Sequence, residues 1–354
     1  MPAAILSPQT CSPAELDRYL ANGWRPLGQR IYIADFVQLD LGEIFSVIHT
    51  RLSLKTHQWR KGQRKLLNKN KSIFRWEIVP AKIDEIKLAI NRQYLAKHPT
   101  KSTDDLSIHL SHEGRNIFAT YECNVYAGEE LIAFSFFDLG EKSAYSKAGI
   151  YNPNFHKHSL GLFTMYLEVE WCKANGYTYY YPGYISPDNT LFDYKKRIGS
   201  LDFWHMPKNE WLPLNIFENT LHGPYQLLLQ HNQALVGVFK QAQLQAKLFL
   251  YVFFEMRMID SIRSKNMLAN PFIVLLDAPS EQEAVIAIYN LEISAYQCWL
   301  CSFDRIFTFF DEPKTNFELF RCVLELGQLL FQTDTPTEFL AQFIHYQGNK
   351  PQKI

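Results

Sequence analysis

The chain has 354 residues, of which 47% are apolar and 15% aromatic, a composition that predicts a folded globular protein rather than a disordered one. The formal net charge is zero, with 36 basic and 36 acidic side chains, so binding of an anionic partner requires local clustering of basic residues. No apolar run reaches the length of a membrane span, and the N-terminal residues lack a signal-peptide pattern. We therefore expect a cytoplasmic protein that does not enter a membrane.

A capping box marks the first predicted helix. Ser12 and Glu15 have the spacing at which each side chain bonds the backbone of the other, so a helix is expected from this point to about Ala21. Residues 24–33 then predict an arginine-containing pair of strands. The chain is long enough for two domains or one large one.

The strongest charge feature is a basic segment. Between Glu43 and Glu77 there is no acidic residue, although basic residues are frequent. A helix in this segment would gather four basic residues on neighbouring ridges, and such a surface suits an RNA backbone. A merely solvated basic face is the alternative. The four residues are Arg60, Lys61, Arg64 and Lys65.

Strands and helices alternate in the middle of the chain. A strand at 74–79 and a helix at 84–96 are followed by strands at 116–126 and 130–139, which form a hairpin. Alternation of this kind predicts a mixed twisted sheet in an α/β (α+β) protein.

The chain is organised around residues 147–204. A short strand ends in the basic loop His156-Lys157-His158, a helix begins at Ser159, and a second strand, Tyr177–Tyr181, is expected to stop at Pro182. A helix N-terminus attracts phosphate through its free N–H groups and partial positive charge. A solvated loop that Ser159 caps is the other interpretation. The candidate phosphate-binding residues are Lys157, His158, Ser159 and Gly161.

Four short motifs in this stretch carry a resemblance. They are Ser159-Leu160-Gly161, Tyr179-Tyr180-Tyr181, Gly183-Tyr184 and Tyr194-Lys195. This pattern resembles the C-terminal half of the tRNA-dependent aminoacyl-protein transferases, the arginyl-transferring enzymes and their bacterial leucyl-transferring relatives. The resemblance extends weakly back to about Leu16, fades after about Leu214, and so covers a little over half of the chain.

The resemblance implies a GNAT-like acyltransferase core in which the helix after the fourth strand holds the donor's phosphates. It implies that aminoacyl-tRNA is the donor and that a protein or peptide N-terminus is the acceptor. The acceptor is expected to begin with an acidic residue whose carboxylate binds a cation of this chain. The resembled family carries a cysteine cluster for zinc or iron–sulfur near the N-terminus, and this chain has none there, so we expect no metal and no cofactor. The candidate acceptor-binding residues are Tyr181, Tyr184, Tyr194, Lys195 and Arg197.

The implied chemistry is the direct aminolysis of an ester. An α-amine has a pKa near 7.7–8.0, so orientation and stabilisation of the oxyanion are the main requirements. No covalent nucleophile is evident, and the catalytic residues cannot be assigned. Cys298 and Cys301 form a CxxC in apolar surroundings and are interpreted as buried core thiols.

Three regions are predicted: an N-terminal basic segment (1–80), the transferase core (81–214) and a mainly helical C-terminal extension (215–354). Within the extension, helices are expected at 221–254, 280–288 and 317–330, and a strand at 272–276. The sequence does not decide the oligomeric state. Three alternative functions remain open: a CoA-dependent N-acetyltransferase, a catalytically inactive RNA- or protein-binding relative, and a tRNA-dependent aminoacyl transferase acting on a peptidoglycan-type acceptor.

Overall fold

The computed structural model describes residues 3–99, 102–112, 114–258, 266–303 and 312–349. An N-terminal layer packs on one face of a central mixed sheet, and a second sheet follows in the C-terminal part. The elements before the central sheet are β1 (Ala3–Leu6), α1 (Pro13–Ala21), β2 (Arg25–Leu27), β3 (Arg30–Ala34), β4 (Phe36–Asp40) and β5 (Glu43–Ser46). The capping box of Ser12 and Glu15 is present at the start of α1, as predicted.

The central sheet has eight strands in the order β13-β12-β6-β11-β10-β9-β8-β7. Its strands are β6 (Ile48–Ser53), β7 (Arg75–Pro80), β8 (Ala119–Ala127), β9 (Glu130–Leu139), β10 (Ser143–Tyr151), β11 (Tyr179–Ile185), β12 (Leu201–His205) and β13 (Glu210–Pro213). The associated helices are α2 (Lys61–Lys71), α3 (Glu85–Lys97) and α4 (Leu160–Ala174). The predicted mixed α/β class and the predicted hairpin, β8 with β9, are both confirmed.

The unit β10–α4–β11 provides the core of the sheet. The two strands run parallel, with α4 as the crossover between them. Leu160, Phe163 and Leu167 of α4 are fully buried against the sheet, as their spacing of three and four residues predicts. Three antiparallel strands, a crossover helix and a parallel strand are the arrangement expected of a GNAT-like core.

Strand β11 is longer than predicted. The expected stop at Pro182 is wrong, because β11 continues to Ile185. Pro182 has no N–H to donate, and the register of β11 against β6 shifts between Tyr180 and Gly183. A proline therefore interrupts the pairing here without ending the strand.

The two faces of the sheet are covered differently. Helices α2 and α4 share one hydrophobic core with β8, β9 and β10. On the other face, α3 packs through Ile90 and Tyr94, and the N-terminal layer packs through Leu16, Leu20 and Ile31. Within the described residues, no helix is long and apolar enough to cross a membrane.

The C-terminal extension contains a second sheet that the sequence did not predict. Its five antiparallel strands are β14 (Lys247–Leu250), β15 (Phe272–Ser280), β16 (Glu283–Asn290), β17 (Ala295–Ser302) and β18 (Glu325–Thr333). Its helices are α5 (Asn219–His222), α6 (Pro224–Gln241) and α7 (Pro336–Gly348). The predicted strand at 272–276 lies within β15. The helix predicted at 221–254 is correct only over α6, because residues 247–250 form β14 and a 3₁₀ helix begins at Val252.

Two predicted helices of the extension are wrong, so the extension is not mainly helical. Residues 280–288 fall largely in β16, and residues 317–330 run into β18. Six consecutive residues of β16 are buried. Its sequence is therefore continuously apolar and lacks the alternation of apolar and polar residues that identifies a half-buried strand. The division at residues 80 and 214 remains a prediction; β6 and β7, which precede residue 80, lie in the central sheet.

Candidate functional site

The candidate site is a fork between two parallel strands. Pairing of β10 with β11 covers three residues and ends at Tyr145 and Tyr181, although both strands continue. We call the gap between residues 146–151 of β10 and 182–185 of β11 the fork. Parallel strands that separate leave a crevice at their carboxyl ends, where a ligand can contact the backbone of both strands.

A buried carboxyl group holds the fork at its closed end. Glu168 of α4 is fully buried, accepts a hydrogen bond of 2.6 Å from the hydroxyl of Tyr180, and also bonds Ser135 and Ser146. Tyr180 is on β11 and Ser146 on β10, so this one side chain joins both strands where they part. Burial raises the pKa of Glu168 to about 7. The sequence analysis missed Glu168, although an acid within an apolar stripe was a signal that could have identified it.

The first turn of α4 lies at the open end of the fork. Ser159 has a left-handed backbone (φ 52°) and its side chain does not cap the helix, contrary to the interpretation of Ser159 as a cap. The N–H groups of Leu162 and Phe163 donate to the Ser159 carbonyl at 3.1 Å and 2.9 Å, so those of Leu160 and Gly161 are the first-turn donors left without an intrahelical acceptor. Gly161 faces Tyr151, because a Cβ atom on Gly161 would lie 3.9 Å from the Tyr151 ring. The Gly161 backbone therefore lies next to the Tyr151 ring at the end of β10.

The basic helix α2 is docked directly beside this turn. The Asn70 side-chain amide donates to the carbonyl oxygen of His158 at 2.8 Å, and the rings of Phe74 and His158 are 5.0 Å apart. The side-chain oxygen of Gln63 accepts from the backbone N–H of Arg60 at 2.6 Å. Its side-chain nitrogen donates to the carbonyls of Arg197 and Ile198 at 2.7 Å. Two buried amides thus fix α2 against both predicted binding segments.

The predicted basic donor residues lie at the N-terminal end of α2 and on the loop before α4. The side chain of Arg60 bonds Ser200 at 3.3 Å, and that of Arg64 donates to the Trp59 carbonyl at 2.9 Å. The exposed residues among the predicted set are Arg60, Lys61, Arg64, Lys65 and Lys157. They extend from α2 to the loop that precedes α4.

Lys195 lies on the other side of the fork. Its Nζ donates to the carbonyl of Tyr184 at 3.1 Å and is 5.0 Å and 5.2 Å from the ring centroids of Tyr184 and Phe192. A Cβ atom at Gly183 would lie only 3.0 Å from this Nζ, so glycine permits the close approach. Burial of the ammonium group, together with the charge of Arg25, lowers the pKa of Lys195 to about 7.

Arg25 is a second buried cation, which the sequence analysis did not select. It is 2% exposed, its Nη1 lies 3.0 Å from Nδ1 of His49, and its guanidinium is 4.5 Å from the centroid of the Tyr184 ring. Its Nε is buried without a hydrogen-bond partner. Within the described residues, neither Arg25 nor Lys195 has a carboxylate as an ion-pair partner.

The remaining predicted acceptor residues occupy different environments. Tyr181 is buried in the core under the N-terminal layer, with its ring 5.7 Å from that of Trp211. Tyr194 is 41% exposed overall, but its hydroxyl is enclosed and burial raises its pKa to about 12. Arg197 is exposed. Tyr184, Tyr194 and Lys195 therefore border the fork, whereas Tyr181 supports it from below.

No cysteine is placed as a nucleophile. All six cysteines are free and buried, and burial raises the pKa of Cys11 to about 11 and that of Cys301 to about 12. The interpretation of Cys298 and Cys301 as buried core thiols is confirmed. Among the described residues, no group of three or more His, Cys, Asp or Glu side chains is arranged to hold a metal ion.

The central part of the chain is similar to known proteins. Residues 81–205 match the family model described as "Arginine-tRNA-protein transferase, C terminus". The chain is similar to the aspartate/glutamate leucyltransferase of Vibrio vulnificus, with 26% identity over 186 residues, 50% of this chain and 75% of the relative. It is also similar to the enzyme of the same name from Xylella fastidiosa, with 23% identity over 212 residues, 57% of this chain and 80% of the relative.

Among solved structures, a similar chain is the C-terminal domain of a putative lysylphosphatidylglycerol synthetase from Agrobacterium fabrum (TM-score 0.33, 15% identity, 43% of this chain and 51% of that one). The protein L-PGS from Bacillus licheniformis gives a TM-score of 0.32 at 16% identity, covering 50% of this chain and 52% of that one. The present chain thus spans about half of either structure.

The family match and the names of the relatives indicate an acyltransferase. Within that class, the chain is a divergent relative of the aminoacyl-tRNA–protein transferases, which confirms the resemblance found in the sequence.

Proposed function

We propose that this protein transfers an amino acid from aminoacyl-tRNA to the N-terminal α-amine of an acceptor protein, and that the reaction takes place at the fork. The observation that carries this proposal is the arrangement of three features around one crevice. The first turn of α4 and the basic helix α2 border one side, and Lys195 borders the other.

The donor's 3′ end is proposed to lie at the α4 side. Phosphate groups would meet the first-turn N–H groups near Gly161 and the side chains of Lys157 and His158. The rest of the acceptor stem would lie along α2, where four exposed basic residues face solvent. Asn70 holds the two parts of this surface together through its bond to His158.

The acceptor is proposed to enter on the Lys195 side, with an N-terminal Asp or Glu. The relatives compared above are named aspartate/glutamate leucyltransferases, which favours an acidic acceptor and leucine as the transferred residue. Arg197 is an exposed cation one residue beyond Lys196 on the same segment, placed to meet a carboxylate at the surface. Tyr184 and Tyr194 would border the acceptor's backbone.

The proposed reaction is direct aminolysis. The neutral α-amine attacks the ester carbonyl, the C–N bond forms, and the ribose oxygen leaves with a proton. The buried cysteines provide no thiolate for a covalent intermediate. Donors around the oxyanion would come from backbone N–H groups and cations at the fork.

The test is transfer of radiolabelled leucine or arginine from aminoacylated tRNA to peptides that begin with Asp, Glu or Lys. The proposal predicts transfer to Asp and Glu peptides and little to Lys peptides. A parallel reaction with acetyl-CoA tests the acetyltransferase alternative. Acetylation without any aminoacyl transfer would replace this proposal, and tRNA binding without either activity would favour a binding protein.

A further inference from the structure

The two cations at the fork share one aromatic ring. The centroid of the Tyr184 ring is 4.5 Å from the guanidinium carbon of Arg25 and 5.0 Å from Nζ of Lys195. Two positive charges held this close repel one another, and the group that can lose its charge is the lysine, because arginine stays protonated at all physiological pH values.

The two side chains are not equally accessible. Arg25, on β2 of the N-terminal layer, is buried next to a cavity of about 10 Å³, which is too small for anything larger than a water molecule. Lys195 is half-buried and lies on the segment that borders the fork. Arg25 is therefore enclosed, whereas the Lys195 side chain is partly exposed.

We propose that Lys195 is the catalytic base of the transfer reaction and that Arg25 is a positioning residue whose fixed charge keeps the Lys195 amine neutral. This inference rests on the proposed function and assigns the proton acceptor that the sequence left open. It also changes the expected role of Lys195, which the sequence associated with the acceptor's carboxylate.

The proton balance of the step is complete. The neutral Nζ of Lys195 removes a proton from the acceptor's nitrogen as the C–N bond to the donor's carbonyl carbon forms. The C–O bond to the ribose then breaks, and the ammonium of Lys195 returns the proton to the departing oxygen. No oxidant, reductant or further reactant is needed.

The local charges agree with this assignment. The Lys195 amine donates only to a backbone carbonyl, and burial and Arg25 both lower its pKa, to about 7. His49 accepts from Arg25, and burial and the charge of Arg25 lower the pKa of His49, so it remains neutral. The other ionisable groups that face the Tyr184 ring or Arg25 are Tyr32, Tyr145, Tyr194, Glu255 and Asp35.

The experiment measures kcat for leucyl transfer against pH at saturating acceptor, which reports ionisations in the complex rather than in the free peptide. Lys195→Arg keeps the positive charge but cannot accept a proton, so kcat should fall about 10²- to 10⁴-fold. Arg25→Gln removes the fixed charge, so the acidic limb of the profile should move about one unit to higher pH.

Arg51→Gln is the matched control for Arg25. Arg51 also stacks on aromatic rings, 4.4 Å from Tyr179 and 4.6 Å from Trp211, but is ion-paired with Asp202. Its replacement should leave the acidic limb in place. The Lys195 pKa is also measured directly in the wild-type protein by NMR of ¹³C-methylated lysines, with Lys195→Arg to assign the resonance.

The outcomes separate the two proposals. Any one of three results overturns this inference and leaves the proposed function standing. They are transfer by Lys195→Arg at nearly the wild-type rate, an acidic limb that does not move in Arg25→Gln, and a Lys195 resonance that titrates near 10. Absence of transfer by the wild-type protein from any aminoacylated tRNA overturns both.

Discussion

Ser159 is the residue at which local structure departs most from local preference. A non-glycine residue with a left-handed backbone costs about 1 kcal/mol or more, and no side-chain cap compensates for it here. The turn ends a 3₁₀ helix, Pro153–His158, and directs α4 so that its first turn faces the end of β10. Strain placed at the mouth of a crevice is consistent with a binding role for this turn.

Gly161 provides the first test of the donor site. Only Tyr151 is near a Cβ atom built on Gly161, at 3.9 Å, so a side chain at this position fits the fold and projects toward the fork. We expect Gly161→Val to abolish transfer to every acceptor peptide, while circular dichroism and melting temperature stay near wild type. Gly161→Ala is the control, and it should retain more activity. Normal transfer by the folded valine variant would place the donor elsewhere.

Glu168 provides a test through stability. Burial raises its pKa from 4.5 to about 7, so the folded state binds a proton more tightly than the unfolded state between these values. The stabilisation is complete below about pH 4.5 and is lost as pH rises through 7, by up to about 1.4 kcal/mol per pH unit.

We therefore expect the unfolding free energy of wild type, minus that of Glu168→Gln, to decrease by about 2–3 kcal/mol from pH 4.5 to 7.5 in urea titrations. The exposed Glu129, in the turn between β8 and β9, is the control, and Glu129→Gln should not reproduce this decrease. A Glu168 difference that increases with pH would contradict the assignment of a buried, proton-binding carboxyl group.

At the scale of elements, buried amides of α2 hold it against two other segments: Asn70 against the loop that precedes α4, and Gln63 against residues 197–198. Asn70 and Gln63 are both buried and both bond carbonyls of segments distant in sequence. The exposed face of α2 is then left to basic side chains, and the first turn of α4, the proposed phosphate site, is adjacent. In the proposed function, the tRNA acceptor stem follows this basic face beside a helix N-terminus.

Reversing the charge of this face should weaken tRNA binding. Replacement of Arg60, Lys61, Arg64 and Lys65 by Glu leaves the facing phosphates without a cation. The slope of log K against log salt should therefore flatten by roughly 0.7–0.9 for each phosphate that is no longer neutralised. Filter binding of tRNA at several salt concentrations measures this slope.

The matched control reverses four exposed lysines elsewhere, which gives a similar change in net charge. They are Lys97, Lys142, Lys208 and Lys240. Equal loss of affinity in both variants would mean that tRNA responds to net charge and not to α2.

The elements around the fork were predictable because their signals are local. A capping box, a period of three and four residues, and aromatic strands bounded by turns identify α1, α4 and β11 from short windows. The extension was not predictable in this way, because a buried strand such as β16 has the same continuous apolar pattern as a buried helix.

Parts of the site depend on contacts distant in sequence. Lys195 could be selected from its motif, but its lowered pKa depends on burial and on Arg25, which is 170 residues away and meets it only across the Tyr184 ring. Glu168 binds Ser135, Ser146 and Tyr180 across three elements. Such contacts cannot be predicted from residue type and spacing, because the register of the sheet determines which side chains meet.

At the scale of the whole molecule, the N-terminal and C-terminal parts are joined by a common core. Phe36 of β4 and Ile44 of β5 belong to the same hydrophobic cluster as α6, α7 and the second sheet. The Phe36 and Phe254 rings are 6.1 Å apart, and the Leu41 carbonyl accepts from the backbone of Lys314. The β4–β5 hairpin is therefore structurally part of the extension, although it precedes the transferase core in sequence.

This connection predicts a remote effect of an N-terminal substitution. Phe36→Ala should destabilise the second sheet by about 3–5 kcal/mol, because it leaves a cavity in that core. Hydrogen exchange measures the effect: amides of β15, β16 and β17 should lose protection, while those of β8 and β9 retain it. Phe134→Ala is the matched control, since Phe134 is equally buried but packs with α3 under the central sheet, and it should give the opposite pattern. Equal loss in both sheets after either substitution would instead mean that the molecule opens as one cooperative unit.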